Sequence, residues 1–117
     1  MVMIRRGDIR WFQFERPDKR RPVLILGRED LLASRSLIPV VPLSTQIRNI
    51  SSEVLLSPDE GLPSACVLKP EWIRAIERTQ IGPYVASFPD HRWVEVQRAV
   101  LYILGLDGSV PGSFPLH

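Results

Sequence analysis

The run Pro22-Val23-Leu24-Ile25-Leu26-Gly27 decides the fold. A strand sends successive side chains to opposite faces, and here both faces receive large aliphatic groups. Such a strand needs cover on two sides and belongs at the centre of a sheet. Upstream, Asp8–Glu15 is rich in aromatics and reads as a second strand, with Phe12 and Phe14 on one face and Ile9 and Trp11 on the other. Pro17-Asp18 marks the turn between the two. Downstream, residues 28–35 are polar and fit a helical turn. Leu37–Leu43 is a further β-branched run, and its Pro39 and Pro42 place it at an edge or a bulge, because proline cannot donate to a ladder. Glu53–Leu56, Cys66–Leu68 and Trp72–Ile76 are short strand-like pieces, the last two parted by Pro70.

Eleven prolines keep every element short and leave room for one long helix. Ser87-Phe88-Pro89-Asp90 has the spacing of a capping box, and Trp93, Val96, Val100, Ile103 and Leu104 form one apolar stripe behind it. Gly105 supplies the stop. The outline is five to seven short strands and one terminal amphipathic helix, a strongly curved antiparallel sheet with a helix on it in an α+β, barrel-like domain. Residues 1–106 account for that domain. Residues 107–117, rich in Gly, Pro and Ser, read as a flexible tail.

At 117 residues and 13.3 kDa the chain has room for one domain, and 44% hydrophobic and 24% charged residues with a mean hydropathy of 0.00 describe a soluble globule. Its apolar runs are too short to span a membrane, and Arg5 and Arg6 interrupt any leader pattern, so the expected compartment is the cytoplasm. Cys66 is the single cysteine, which excludes an internal disulfide and a cysteine-built zinc site. It lies in an apolar run and reads as a buried thiol. His91 and His117 are the two histidines, far apart in sequence, so neither a paired acid–base couple nor a histidine metal cluster is expected. No cofactor is expected. The charge is uneven. Residues 1–35 hold nine Lys/Arg and five Asp/Glu, for +4, and residues 49–117 hold five and eight, for −3. Thirteen of the fifteen basic residues are arginine, whose planar fork grips phosphates and stacks on bases. With Trp11, Phe12 and Phe14 nearby, the basic half is either a solvated face or a nucleic-acid surface.

Three segments, in order, resemble the MazF/PemK (Kid) family of toxin endoribonucleases. They are Arg6-Gly7-Asp8-Ile9-Arg10-Trp11, Arg21-Pro22-Val23-Leu24-Ile25 and Val40-Val41-Pro42-Leu43-Ser44-Thr45-Gln46-Ile47. Glu71-Trp72-Ile73-Arg74-Ala75-Ile76 and the helix ending Ile103-Leu104-Gly105-Leu106 extend the likeness, so it covers residues 5–106. The resemblance implies an SH3-like barrel, a homodimer, a neutralising antitoxin, and metal-independent, sequence-specific cleavage of single-stranded RNA to 2′,3′-cyclic phosphate and 5′-hydroxyl ends.

It also implies site residues. Arg21 matches the family's catalytic arginine, and its fixed N–H donors suit the nonbridging oxygens of a phosphorane better than they suit proton uptake. Ser44 matches the catalytic Ser/Thr, with Thr45 its rival on the opposite face. Arg20, Gln46 and Arg48 are candidate RNA contacts, since Gln reads base edges and Arg holds phosphates. Trp72 stands where the family commonly has Gln; it is a base-stacking platform or an interface residue. Trp11 is core or RNA-facing. Glu71 and Arg74 are an ion pair beside the groove or plain surface. Two departures stand out: the 16–20 loop is short and lacks the family's glycines, and the family's acidic loop residue has only Asp18 or the adjacent Glu15 as a counterpart, neither at a matching position. Two rival readings remain: a gyrase-poisoning toxin of the CcdB type, and a non-catalytic SH3-like binding module.

Overall fold

The structure is a computed structural model that describes residues 3–14 and 20–109. The turn at Pro17-Asp18, the acids Glu15 and Asp18, and the tail from 110 to 117 lie outside the described residues. Seven strands form one curled antiparallel sheet. They are β1 (Asp8–Gln13), β2 (Arg20–Ile25), β3 (Leu37–Ser44), β4 (Val54–Leu56), β5 (Cys66–Leu68), β6 (Arg74–Glu77) and β7 (Tyr84–Ser87). A single turn of helix, α1 (Glu29–Leu32), separates β2 from β3, and α2 (Trp93–Leu104) follows β7. Hydrogen bonding runs β4-β5-β3-β2-β1-β7, with β6 added to β3. This is the α+β curved sheet with a C-terminal helix that the strand pattern predicts.

β2 is central, as its two-faced apolar run requires: it pairs with β1 through Ile9↔Leu24 and with β3 through Leu24↔Val41. Alternation sorts its residues into two cores. Leu24 joins Ile9, Val41, Leu43, Leu56 and Leu68 under α2, which contributes Val96 and Ala99. Val23 and Ile25 join Phe12, Phe14, Ile38, Val40 and Ile76 in a second core. Leu24 is fully buried, and its truncation to alanine would cost about 2–5 kcal/mol.

Four expectations need correction. First, β3 is no edge strand. One side pairs with β2; the other pairs with β6 through Val40 and with β5 from Leu43. Pro42 falls where that second side changes partner, so its missing N–H breaks no ladder. Second, Trp72 is not in a strand; Pro70–Trp72 is a turn of 3-10 helix, and β6 starts at Arg74. Third, there is no capping box at Ser87. That residue ends β7, paired with Asp8, and a 3-10 turn (Asp90–Arg92) precedes α2, whose N-cap is Arg92. Fourth, Leu104 is 50% exposed, and Ala99 takes its place on the buried stripe. The stop at Gly105 is as expected, with a left-handed φ of 70°.

Candidate functional site

The site forms where β1, β2 and β3 end beside the Pro70–Trp72 turn. Arg21 sits opposite Phe12 in the β1–β2 register, and Trp11 opposite Pro22. Ser44 is the last residue of β3, nine-tenths buried and paired with Val67. Its Oγ accepts a hydrogen bond from the Gln46 amide at 3.1 Å, which turns the chain out of the strand and over the site. Thr45 and Gln46 are exposed beyond that turn.

A pocket of about 410 Å³ collects these groups. Trp11, Arg20, Arg21, Ser44, Thr45, Gln46 and Trp72 line it, together with Leu62–Ser64 and Cys66. Thr45 shares this pocket with Ser44, although strand alternation places the two on opposite faces. Alternation lapses because Thr45 is already past the end of β3. A second pocket of about 390 Å³ continues from the first, with Arg21 and Trp72 common to both and Phe14, Pro42 and Arg74 added.

Arginines and aromatic rings interleave along this groove. The Arg20 guanidinium lies 4.2 Å from the centroid of the Trp11 ring. Arg21 lies 5.3 Å from Trp72 and 5.7 Å from Phe14, and Arg74 lies 5.5 Å from Phe14. Such stacking orients the planar guanidinium forks along the groove. Trp72 itself is 40% exposed. No carboxylate or imidazole lines either pocket among the described residues. Burial, helped by the charge of Glu60, raises the Cys66 thiol to about 11, so this group stays protonated near neutrality. With 4% exposure it is a wall and not a nucleophile.

Two sequence candidates lie apart. Glu71 is exposed on the 3-10 turn and lines neither pocket, and among the described residues no ion pair joins it to Arg74. Arg48 is exposed beyond the rim, its backbone N–H donating to Glu53 at 2.9 Å. The buried Glu53–Lys69 pair behind this loop went unnoticed in the sequence, where a lysine next to Pro70 and a glutamate before a short strand look like surface residues. Their side chains are 3% and 2% exposed. The one available signal is Lys69 directly following the apolar run Cys66–Leu68.

A basic, aromatic-lined groove at the open end of a curled sheet is the architecture of a small toxin of the MazF type. Residues 5–104 match the family model of the PemK-like, MazF-like toxin of type II toxin-antitoxin systems, and the chain belongs to that family. No curated protein matches the chain significantly in sequence. Among solved structures, the Mycobacterium tuberculosis toxin MazF-mt6 is 26% identical, with a TM-score of 0.78 over 86% of this chain and 98% of that one. A mycobacterial endoribonuclease in complex with its cognate antitoxin is 17% identical, with a TM-score of 0.72 over 90% and 96%. A MazE-MazF structure from Deinococcus radiodurans is 21% identical, with a TM-score of 0.75 over 89% and 98%. The last two speak for the fold alone.

Proposed function

We propose that this toxin is a sequence-specific endoribonuclease that cuts single-stranded RNA without a metal. The observation that carries the reading is the meeting of Arg21 and Ser44 in one pocket with Trp11 and Trp72. In the reaction the substrate 2′-oxygen attacks the adjacent phosphorus as its proton leaves. The P–O5′ bond breaks, and the 5′-oxygen takes up a proton. The products are a 2′,3′-cyclic phosphate and a 5′-hydroxyl. Arg21, with Arg20 beside it, stabilises the charge that builds on the nonbridging oxygens. The Ser44 hydroxyl donates to the phosphate or relays a proton. Trp72 and Trp11 stack flanking bases, and Gln46 reads an edge. Arg48 and Arg74 hold phosphates further along the strand.

The same groove suits an antitoxin whose acidic C-terminal segment folds onto Arg21 and Ser44 and displaces the RNA. The MazE-MazF and endoribonuclease–antitoxin structures support that partnership by likeness of fold. The toxin acts as a homodimer in this reading.

The test is cleavage of a long unstructured RNA in EDTA, with the ends mapped. Discrete cuts with 5′-hydroxyl ends are expected. Arg21→Ala and Ser44→Ala should each lower kcat about 10²–10³-fold, in the range for loss of a transition-state donor, with the fold retained. Arg21→Lys should recover little, because a point charge replaces a fork. Intact RNA from folded, antitoxin-free protein would return the reading to a CcdB-type toxin or a non-catalytic module.

A further inference from the structure

Glu53 and Lys69 line neither pocket of the groove, yet they touch what lines it. Lys69 is tied three ways. Its amide donates to the Pro42 carbonyl of β3 at 2.9 Å, and its own carbonyl accepts from the Trp72 amide at 2.9 Å. Its ammonium donates to Glu53 Oε2 at 2.5 Å and lies 6.0 Å from the centroid of the Trp72 ring. On the other side, Glu53 Oε1 accepts from two successive amides, Arg48 and Asn49, both at 2.9 Å. Asn49 has a left-handed φ of 58°, a conformation that asparagine tolerates, in the turn that brings the two N–H groups onto one oxygen. The Lys69 hydrogen bond and the two amides hold the Glu53 carboxyl below its ordinary range, so that carboxyl is ionised near neutrality.

A buried ion pair is poor evidence for stability, because well-packed apolar residues of similar volume commonly serve as well. This pair does something an apolar contact cannot: it joins a directional acceptor for one loop to a donor seated on another. We propose that Glu53 and Lys69 are positioning residues for RNA, a clamp that fixes the loop bearing Gln46 and Arg48 relative to the Trp72 turn. This inference rests on the RNA reading above. Neither side chain is a catalytic residue. Their contribution is the spacing between the phosphate- and base-contacting groups on the two banks of the groove.

The experiment compares the wild type with the double variant Glu53→Leu/Lys69→Met, which removes both charges and keeps the volume. Melting is checked first. The readouts are KM and kcat on an RNA carrying the mapped cut site, the cut pattern on a long RNA, and amide exchange at Arg48 and Asn49. With the clamp gone, KM should rise about tenfold or more while kcat changes by less than about threefold, as expected for lost binding. Cuts should spread to sites beyond the wild-type set, and the two amides should exchange faster. A folded double variant with wild-type KM and cut pattern overturns the proposal. If the double variant melts too early, Glu53→Gln is judged by the same readouts. If the wild type itself cuts no RNA, the parent reading fails independently. The clamp then stands or falls on the Arg48 and Asn49 amides alone, whose unchanged exchange would overturn it.

Discussion

Trp72, which the family resemblance sets where glutamine is expected, lies on the lip of the groove. Its indole is the most exposed aromatic face there, with the Arg21 guanidinium against the ring. Glutamine reads one base edge, whereas indole accepts any base by stacking. Trp72→Ala should therefore weaken binding of a noncleavable oligonucleotide by about 1–3 kcal/mol, the usual worth of a stacked base. Trp72→Phe should keep most of that affinity. Equal affinity for all three proteins by fluorescence titration would remove the ring from the RNA path. The roles proposed for Arg21 and Ser44 come from the family resemblance, which Pro22 carries in one case and the end of a β-branched run in the other. Thr45 could not be sorted by residue type. Its face depends on where β3 stops, and that is set by pairing with β5 and not by the side chains of β3 itself.

At the scale of elements, the strand most exposed to misreading is β7. Tyr84–Ser87 is four residues long, and Ser87 with Asp90 imitates the start of a helix. Tertiary pairing overrides that local signal: Asp8↔Ser87 and Ile9↔Ala86 hold the segment extended. The prolines of β3 mislead in a similar way. The rule that proline marks an edge assumes one partner along each side, and β3 has two in succession on one side. The segment feeding β7 offers a sharp test. The Gly82 amide donates to the Trp11 carbonyl at 2.8 Å, and Arg10 Nε donates to the Gly82 carbonyl at 2.8 Å. A Cβ at position 82 would stand 2.8 Å from that same Trp11 oxygen. Backbone has to move to admit it, so Gly82→Ala should cost about 1–3 kcal/mol in denaturant melts. It should also disturb the pocket wall that Trp11 forms. An alanine variant as stable as the wild type would show that β1 and this segment separate without penalty.

For the whole molecule, acid is the condition that reveals the electrostatic design. Glu53, Glu60 and Glu95 all have carboxyls held below 4.5, by the Lys69 ammonium, the Ser57 amide and hydroxyl, and the Arg92 guanidinium in turn. A depressed folded pKa stabilises above the unfolded value and is lost as pH falls through the folded one. The melting temperature should thus hold from neutrality to about pH 5 and drop below 4.5, and the drop should be shallower in Glu60→Gln. A melting temperature flat down to pH 3 would contradict the hydrogen bonds that Ser57 donates to Glu60. Only Glu53 depends on a partner that the fold brings from afar; Ser57–Glu60 and Arg92–Glu95 are local pairs three residues apart, and the first has the spacing of a capping box. The curled sheet itself was legible, because a two-faced apolar strand and one amphipathic helix leave few ways to bury both.

The β1–β7 pairing has a consequence for synthesis. β1 is made well before Tyr84–Ser87, the strand that its outer edge waits for, while the groove draws on residues from Trp11 to Trp72. Contacts so distant in the chain form late. A nascent toxin stalled before Tyr84 carries an open strand edge, a liability that chaperones and proteases recognise. Stalling before Tyr84 thus yields a fragment fit for degradation, and β1 gains its second partner only after the residues of the groove have been made.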